Sequence, residues 1–282
     1  MAAAVILAHN ESQAVGRLLS RIAPPATVGD LAIVVVAHGC TDDTAEVAAS
    51  FGPSVRVLSL GPVARHAAVR AGDDAATGFP RLYVEAAADL TPADVHALIA
   101  AVRRPGVLAA APERVLPLHG CPWQVRWFYD VWLRLPEVRR GLFGRGVLAV
   151  SEAGHARLAR LPPALFGDDL AAAMSFAPAE RSIVAAARVT CPTPRTFGDL
   201  LYRRVRVAAS LAQVGRGGRS PSAAARTRLA DLAAIVRADP LATPRVAFFL
   251  SVAAIAKLVA WLTRHRQLDG SSARVFSARR RA

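Results

Sequence analysis

The sequence predicts an α/β protein built on a mostly parallel sheet flanked by helices. Three observations carry that expectation. Short apolar runs at residues 5–8, 31–36, 55–58 and 82–84 alternate with stretches of helical periodicity, the pattern of parallel strands joined by crossover helices. Asn10, His38 and Glu85 each lie just past one of those runs, so a parallel arrangement gathers them along one sheet edge, where such folds place their ligands. The 282 residues suffice for one large α/β domain with an appendage and a full core. The class is Rossmann-like, with additional C-terminal helices.

The elements follow in order. Val5-Ile6-Leu7-Ala8 reads as the first strand, and Val15, Leu18, Leu19 and Ile22 fall on one face of a helix that Pro24-Pro25 ends. Residues 31–36 form the second strand. Gly39-Cys40-Thr41-Asp42-Asp43 then turns into a helix, with Thr41 as N-cap and acids in the first turn. The third strand spans residues 55–58, followed by a helix over residues 64–76. Residues 82–84 form the fourth strand, which ends in Glu85. Thr91-Pro92-Ala93-Asp94 supplies a cap, a proline at the first helical position and an acid in the first turn.

Composition narrows the function classes. The chain is 53% hydrophobic with a formal net charge of +14, nearly all of it arginine, because Lys257 is the only lysine. A coding bias toward Ala and Arg explains that charge as well as attraction to anionic lipid, phosphate or nucleic acid does. No helix-turn-helix, zinc-finger or RRM-like pattern accompanies it, so no nucleic-acid partner is predicted. Cys40, Cys121 and Cys191 are widely spaced and odd in number, which fits a reducing compartment rather than a disulfide framework or structural zinc. No basic n-region precedes the first apolar run, so no signal peptide is predicted, and the formal sequon Asn10-Glu11-Ser12 carries little meaning.

Beyond residue 105 the pattern loosens. Trp123, Trp127, Phe128, Tyr129 and Trp132 crowd together with Arg126 and Arg134, either as an aromatic core patch or as a wall for an acceptor. Gly144-Arg145-Gly146 is a turn feeding a strand at residues 147–150. Asp168-Asp169 is an acidic pair at a helix start, readable as a cap or as a general base. Arg203, Arg204 and Arg206 form a basic patch on a helix, a solvated face or a clamp on a diphosphate. A Gly/Arg/Ser linker occupies residues 213–221 and an amphipathic helix residues 222–239. Residues 245–266 form a hydrophobic helix near the lower limit of about 17–25 residues that spans a bilayer, with Lys257 inside it. Interfacial docking and a true span both remain open. Residues 267–282 form a basic tail that reads as disordered.

Five stretches in this order resemble the family-2 glycosyltransferases of GT-A fold. They are Ala8-His9-Asn10-Glu11, Gly39 through Glu46, Ala67 through Gly72, Leu82 through Pro92, and Asp168-Asp169-Leu170. They span roughly residues 5–207, and Asn10 is the only asparagine in the chain. The resemblance implies a transferase domain over residues 1–212. It would move a sugar from a nucleotide-diphosphate donor to a hydroxyl of a lipid or small-molecule acceptor by inverting displacement. Ala8, Asn10, Glu11, His38, Glu85 and Ala86 would border the nucleotide. Asp169, with Asp168 beside it, would deprotonate the acceptor, and Arg203, Arg204, Arg206 and Trp123 would meet diphosphate or acceptor.

The family carries Asp-x-Asp at the fourth strand end to hold a divalent metal, Mg or Mn, and this chain has Glu85-Ala86-Ala87. Glu85 is the implied metal ligand, and Ala87 offers no oxygen. A fold that binds nucleotide or a partner without turnover is the second expectation. The predicted setting is the cytoplasmic, inner face of the membrane, reached through the C-terminal helix and an anionic lipid surface.

Overall fold

The computed structural model describes residues 1–23, 31–166, 168–216 and 228–268. In chain order these form β1 (Ala2–Ala8), α1 (Ser12–Ile22), β2 (Leu31–His38), α2 (Thr44–Ala49), β3 (Val55–Leu60), α3 (Arg65–Ala75), β4 (Arg81–Glu85) and α4 (Pro92–Val102). Then come β5 (Ala109–Val115), α5 (Trp123–Arg134), α6 (Pro136–Arg140), β6 (Val147–Val150), α7 (Glu152–Leu158), α8 (Asp169–Met174) and β7 (Arg181–Thr190). The chain continues through α9 (Phe197–Arg216), α10 (Leu229–Ala238) and α11 (Thr243–Leu268). The prolines expected to end α1, residues 217–221 of the expected linker and residues 269–282 of the basic tail lie outside the described residues.

Two compact units divide the chain. The first comprises Met1–Pro117 and Arg140–Pro192 and holds a seven-stranded sheet in the order β3-β2-β1-β4-β6-β5-β7. β1 pairs in parallel with β2 and β4, β2 with β3, and β5 with β7, while β6 runs antiparallel between β4 and β5. The sheet is therefore mostly parallel, as expected from the alternating pattern. β1 is buried along its whole length, which is why its sequence shows a continuous apolar run instead of alternation.

Helices cover both faces of this sheet. α1 lays Val15, Leu18, Leu19 and Ile22 against the face carrying Ile6, Ile33 and Val35. Ala68 and Val69 of α3 join the opposite cluster with Val5, Val34 and Val36. Gly72 lets α3 come this close, since a Cβ there would stand 2.5 Å from Val5 Cγ1 and 2.7 Å from Val36 Cγ2. The predicted start of α4 is present as a capping box: Asp94 N donates to Thr91 Oγ1, and Thr91 N donates to Asp94 Oδ2 at 2.8 Å.

Two strands were not predicted. β5 reads Ala-Ala-Ala-Pro-Glu-Arg-Val, and its alanines and Pro112 erase the usual strand signal. A register shift against β7 between Pro112 and Glu113 accommodates the proline. β7 lies beside it at the sheet edge, with little alternation along its length.

The second unit comprises Leu118–Arg139 and Thr193–Ala282 and is helical among the described residues. Phe128 stacks on Phe249 with ring centroids 4.8 Å apart, and Phe248 meets Trp123, Trp127 and Phe197. Phe128, Tyr129 and Trp132 are buried, so the aromatic crowd forms the core patch of this unit, with Trp123 left half exposed. The inward stripe of α11 consists of Val246, Phe249, Val252 and Ala256. Its other side shows Leu250, Ile255, Leu258, Trp261 and Leu262 to the surroundings. The stretch Pro240–Thr263 is long and apolar enough to cross a membrane by length and composition. Cys40, Cys121 and Cys191 form no disulfide.

Candidate functional site

The register brings the C-terminal ends of β1, β2 and β4 side by side, with Ala8 opposite Ala37 and Leu7 opposite Glu85. The turns that follow β1 and β2 are laced together. Asn10 adopts a left-handed backbone, φ 54°, and its Oδ1 accepts from Thr41 N at 2.7 Å. Glu11 N donates to Thr44 Oγ1 at 3.0 Å, and Ser12 N donates to Asp42 Oδ2. Asp42 Oδ1 accepts from both the amide and the hydroxyl of Thr44. Thr41 does not cap α2 as expected: α2 begins at Thr44, so the cap position is Asp43, which makes no side-chain capping bond, and the Thr41 amide and hydroxyl both donate to Asn10 Oδ1.

The side chains at this edge form one electrostatic group. His9 and His38 stack with ring centroids 5.3 Å apart, and His9 Nδ1 lies 2.7 Å from the His38 carbonyl oxygen. A carbonyl only accepts, so Nδ1 carries a proton in this contact. Burial, then His9 and Arg65, pull His38 below its ordinary value, favouring the neutral ring. Burial raises the Glu11 carboxyl and the Glu85 charge adds to this, outweighing the His9 amide and Arg65.

Glu85 ends β4. Its amide donates to Gly146 O at 2.8 Å, and its Oε1 accepts from Arg65 Nη2 at 3.0 Å. Gly146, with φ 67°, is where β6 passes the carboxylate, and a Cβ there would lie 3.1 Å from Glu85 Oε2. Arg65, the first residue of α3, was not singled out in the sequence. Its only sequence signal is a basic residue opening the helix after the third strand, and 20 residues separate it from Glu85.

A cleft runs from Arg65 and Glu85 past Tyr83 and Phe166 to Asp168. Asp168 is the N-cap of α8, its Oδ1 accepting from Ala171 N at 2.8 Å. Asp169, whose side chain lies outside the described residues, is the first residue of α8. Of the acidic pair, Asp168 is thus a cap. Under the cleft floor, Asp73 accepts from Arg81 Nη1 at 2.5 Å, Tyr83 Oη at 2.6 Å and His155 Nε2 at 2.9 Å. This network fixes the strand residue Tyr83 from below.

The predicted metal corner is short of ligands. Ala86 is buried and Ala87 is exposed, and neither side chain offers an oxygen. Asp89, the next carboxylate, forms an ion pair with Arg21 on α1 instead of turning to Glu85. Among the described residues no three His, Cys, Asp or Glu side chains converge as a metal-binding group. The residues present do not fit a resident hard cation, which takes about six or more oxygen ligands.

Arg203, Arg204, Arg206 and Trp123 all belong to the second unit. The Arg204 guanidinium lies over the rings of Phe128 and Trp132 at 5.2 and 5.5 Å, and burial pulls its pKa below the ordinary value. Arg203 and Arg206 are exposed. The basic patch is therefore divided between a half-buried packing arginine and two surface ones.

No family model and no curated protein sequence matches the chain. Solved structures do. A mannosyltransferase from Pyrobaculum calidifontis, in complex with GDP-Man and Mn2+, superposes over 94% of this chain and 80% of its own at 19% identity, TM-score 0.58. The chain has the GT-A fold. Glucosyl-3-phosphoglycerate synthase from Mycobacterium tuberculosis, in complex with UDP, covers 76% of this chain and 80% of its own at 20% identity, TM-score 0.53. The same synthase was also solved with Mn2+, UDP-Glc and glycerol 3-phosphate.

Proposed function

We propose that the protein is a glycosyltransferase that moves a sugar from a nucleotide-diphosphate donor to a hydroxyl of a lipid or small-molecule acceptor. One observation carries this reading: Glu11, His38, Arg65 and Glu85 gather at the C-terminal edge of β1, β2 and β4, beside a cleft that leads to the Asp168-Asp169 helix start. GT-A proteins solved with GDP-Man or UDP-Glc support the donor class. In this reading Ala8, Asn10, Glu11, His38 and Ala86 border the nucleoside. Asp169 accepts the proton of the acceptor hydroxyl as its oxygen attacks the anomeric carbon. The bond from that carbon to the diphosphate oxygen breaks, and its electron pair leaves with the nucleoside diphosphate, giving inversion.

The second reading, nucleotide binding without turnover, is favoured by Ala87 and by the Asp89–Arg21 pair. We further assign the protein to the cytoplasmic face of the membrane, held there by the exposed apolar side of α11. Incubation of the purified protein with UDP- and GDP-sugars and a lipid extract tests the main reading. Release of nucleoside diphosphate together with a glycosylated product supports it. Nucleotide binding with neither product favours the second, and absence of binding to any nucleoside diphosphate overturns both.

A further inference from the structure

We propose that Arg65 stands where a metal ion would act, so that this chain binds and releases the donor diphosphate without a divalent cation. The inference rests on the transferase reading and concerns the same cleft. A cation at that corner has one task, to offset the charge that builds on the departing diphosphate. The carboxylate that would hold it, Glu85, holds a guanidinium instead, at 3.0 Å. The side chains of Ala86 and Ala87 offer no oxygen, and Asp89 is taken by Arg21.

Arg65 has the properties the task demands. Its charge is permanent at any working pH, and its planar fork of five donors matches two phosphate oxygens at once. Glu85 uses the Nη2 end and leaves the fork half exposed along the cleft wall. Glu85 thereby changes role from metal ligand to positioning residue, aiming Arg65 at the place where the diphosphate sits. When the anomeric C–O bond breaks, the electron pair settles on a phosphate oxygen that already accepts from the Arg65 N–H groups. No metal enters the balance.

Isothermal titration of UDP and of GDP into the full-length protein, in EDTA and in excess MnCl2, tests this directly. Affinity within about twofold in the two buffers is expected, together with a loss of about tenfold or more in Arg65→Gln and a smaller loss in Arg65→Lys, which keeps the charge but not the fork. The variant Ala87→Asp rebuilds an acidic pair two residues apart, and it alone should gain Mn2+-dependent tightening. Circular dichroism on each variant confirms folding. Tenfold tighter binding of the parent with Mn2+, or unchanged binding in Arg65→Gln, overturns the inference while leaving the transferase reading standing. Absence of binding in both buffers removes that reading as well.

Discussion

Single side chains decide whether this cleft does chemistry. If Asp169 is the base, Asp169→Asn should lower transfer by about 10²–10⁴-fold. Asp168→Asn should stay near parental activity and stability, because asparagine caps a helix as well as aspartate does. A sugar-transfer assay run beside a thermal melt separates the two. Asp73 makes a second test. Burial pushes its carboxyl up, but the bonds from Tyr83, His155 and Arg81 outweigh burial and hold it below the ordinary value. A carboxylate depressed in the fold contributes stability above its unfolded value of about 4, and that stability is lost as pH falls through the folded value. Urea unfolding should therefore show the parent weakening below about pH 4. Asp73→Asn should be less stable at neutral pH by about 3 kcal/mol or more, since it leaves Arg81 buried without its partner, and should show a flatter acid limb. The gathering of Asn10, His38 and Glu85 at one sheet edge was legible because all three sit at strand ends. Arg65 was not, because only the fold brings the start of α3 beside the end of β4.

At the scale of elements, helix signals survived the alanine-rich composition and some strand signals did not. Thr91-Pro92-Ala93-Asp94 announced α4 through capping chemistry that needs only four adjacent residues. β5 gave no such notice: alanine favours a helix over a strand, and Pro112 argues against a strand unless a register shift absorbs it. The same small side chains make helix–sheet spacing tight. Gly72→Ala should destabilise the protein by about 1–3 kcal/mol, because the added methyl meets Val5 and Val36 below van der Waals distance. Denaturant unfolding checks it, and Ala71→Gly serves as the comparison, losing only the helix preference of about 1 kcal/mol.

For the whole molecule, the apolar surface of α11 sets the expected location. In the proposed membrane reading, the exposed apolar side of α11 is the one that meets lipid. Leu258 is 56% exposed and Trp261 52%. Substituting both by glutamate should abolish co-sedimentation with anionic vesicles while leaving nucleoside diphosphate binding unchanged. Retention on the vesicles would refute docking through this side. The sequence left spanning and lying flat open because hydropathy along α11 does not say which of its sides packs inward. The structure supplies that side: the inward stripe is Val246, Phe249, Val252 and Ala256.

Gly146 bears on how this cleft could be altered. The glutamate at position 85 is one methylene longer than an aspartate, and its carboxylate lies beside Gly146, where an added Cβ would stand 3.1 Å from Oε2. Positions 85 and 146 thus share a single allotment of space. A side chain at position 146 would meet Glu85 and would also have to adopt a left-handed backbone, φ 67°, so shortening the acid alone does not open the position to larger residues.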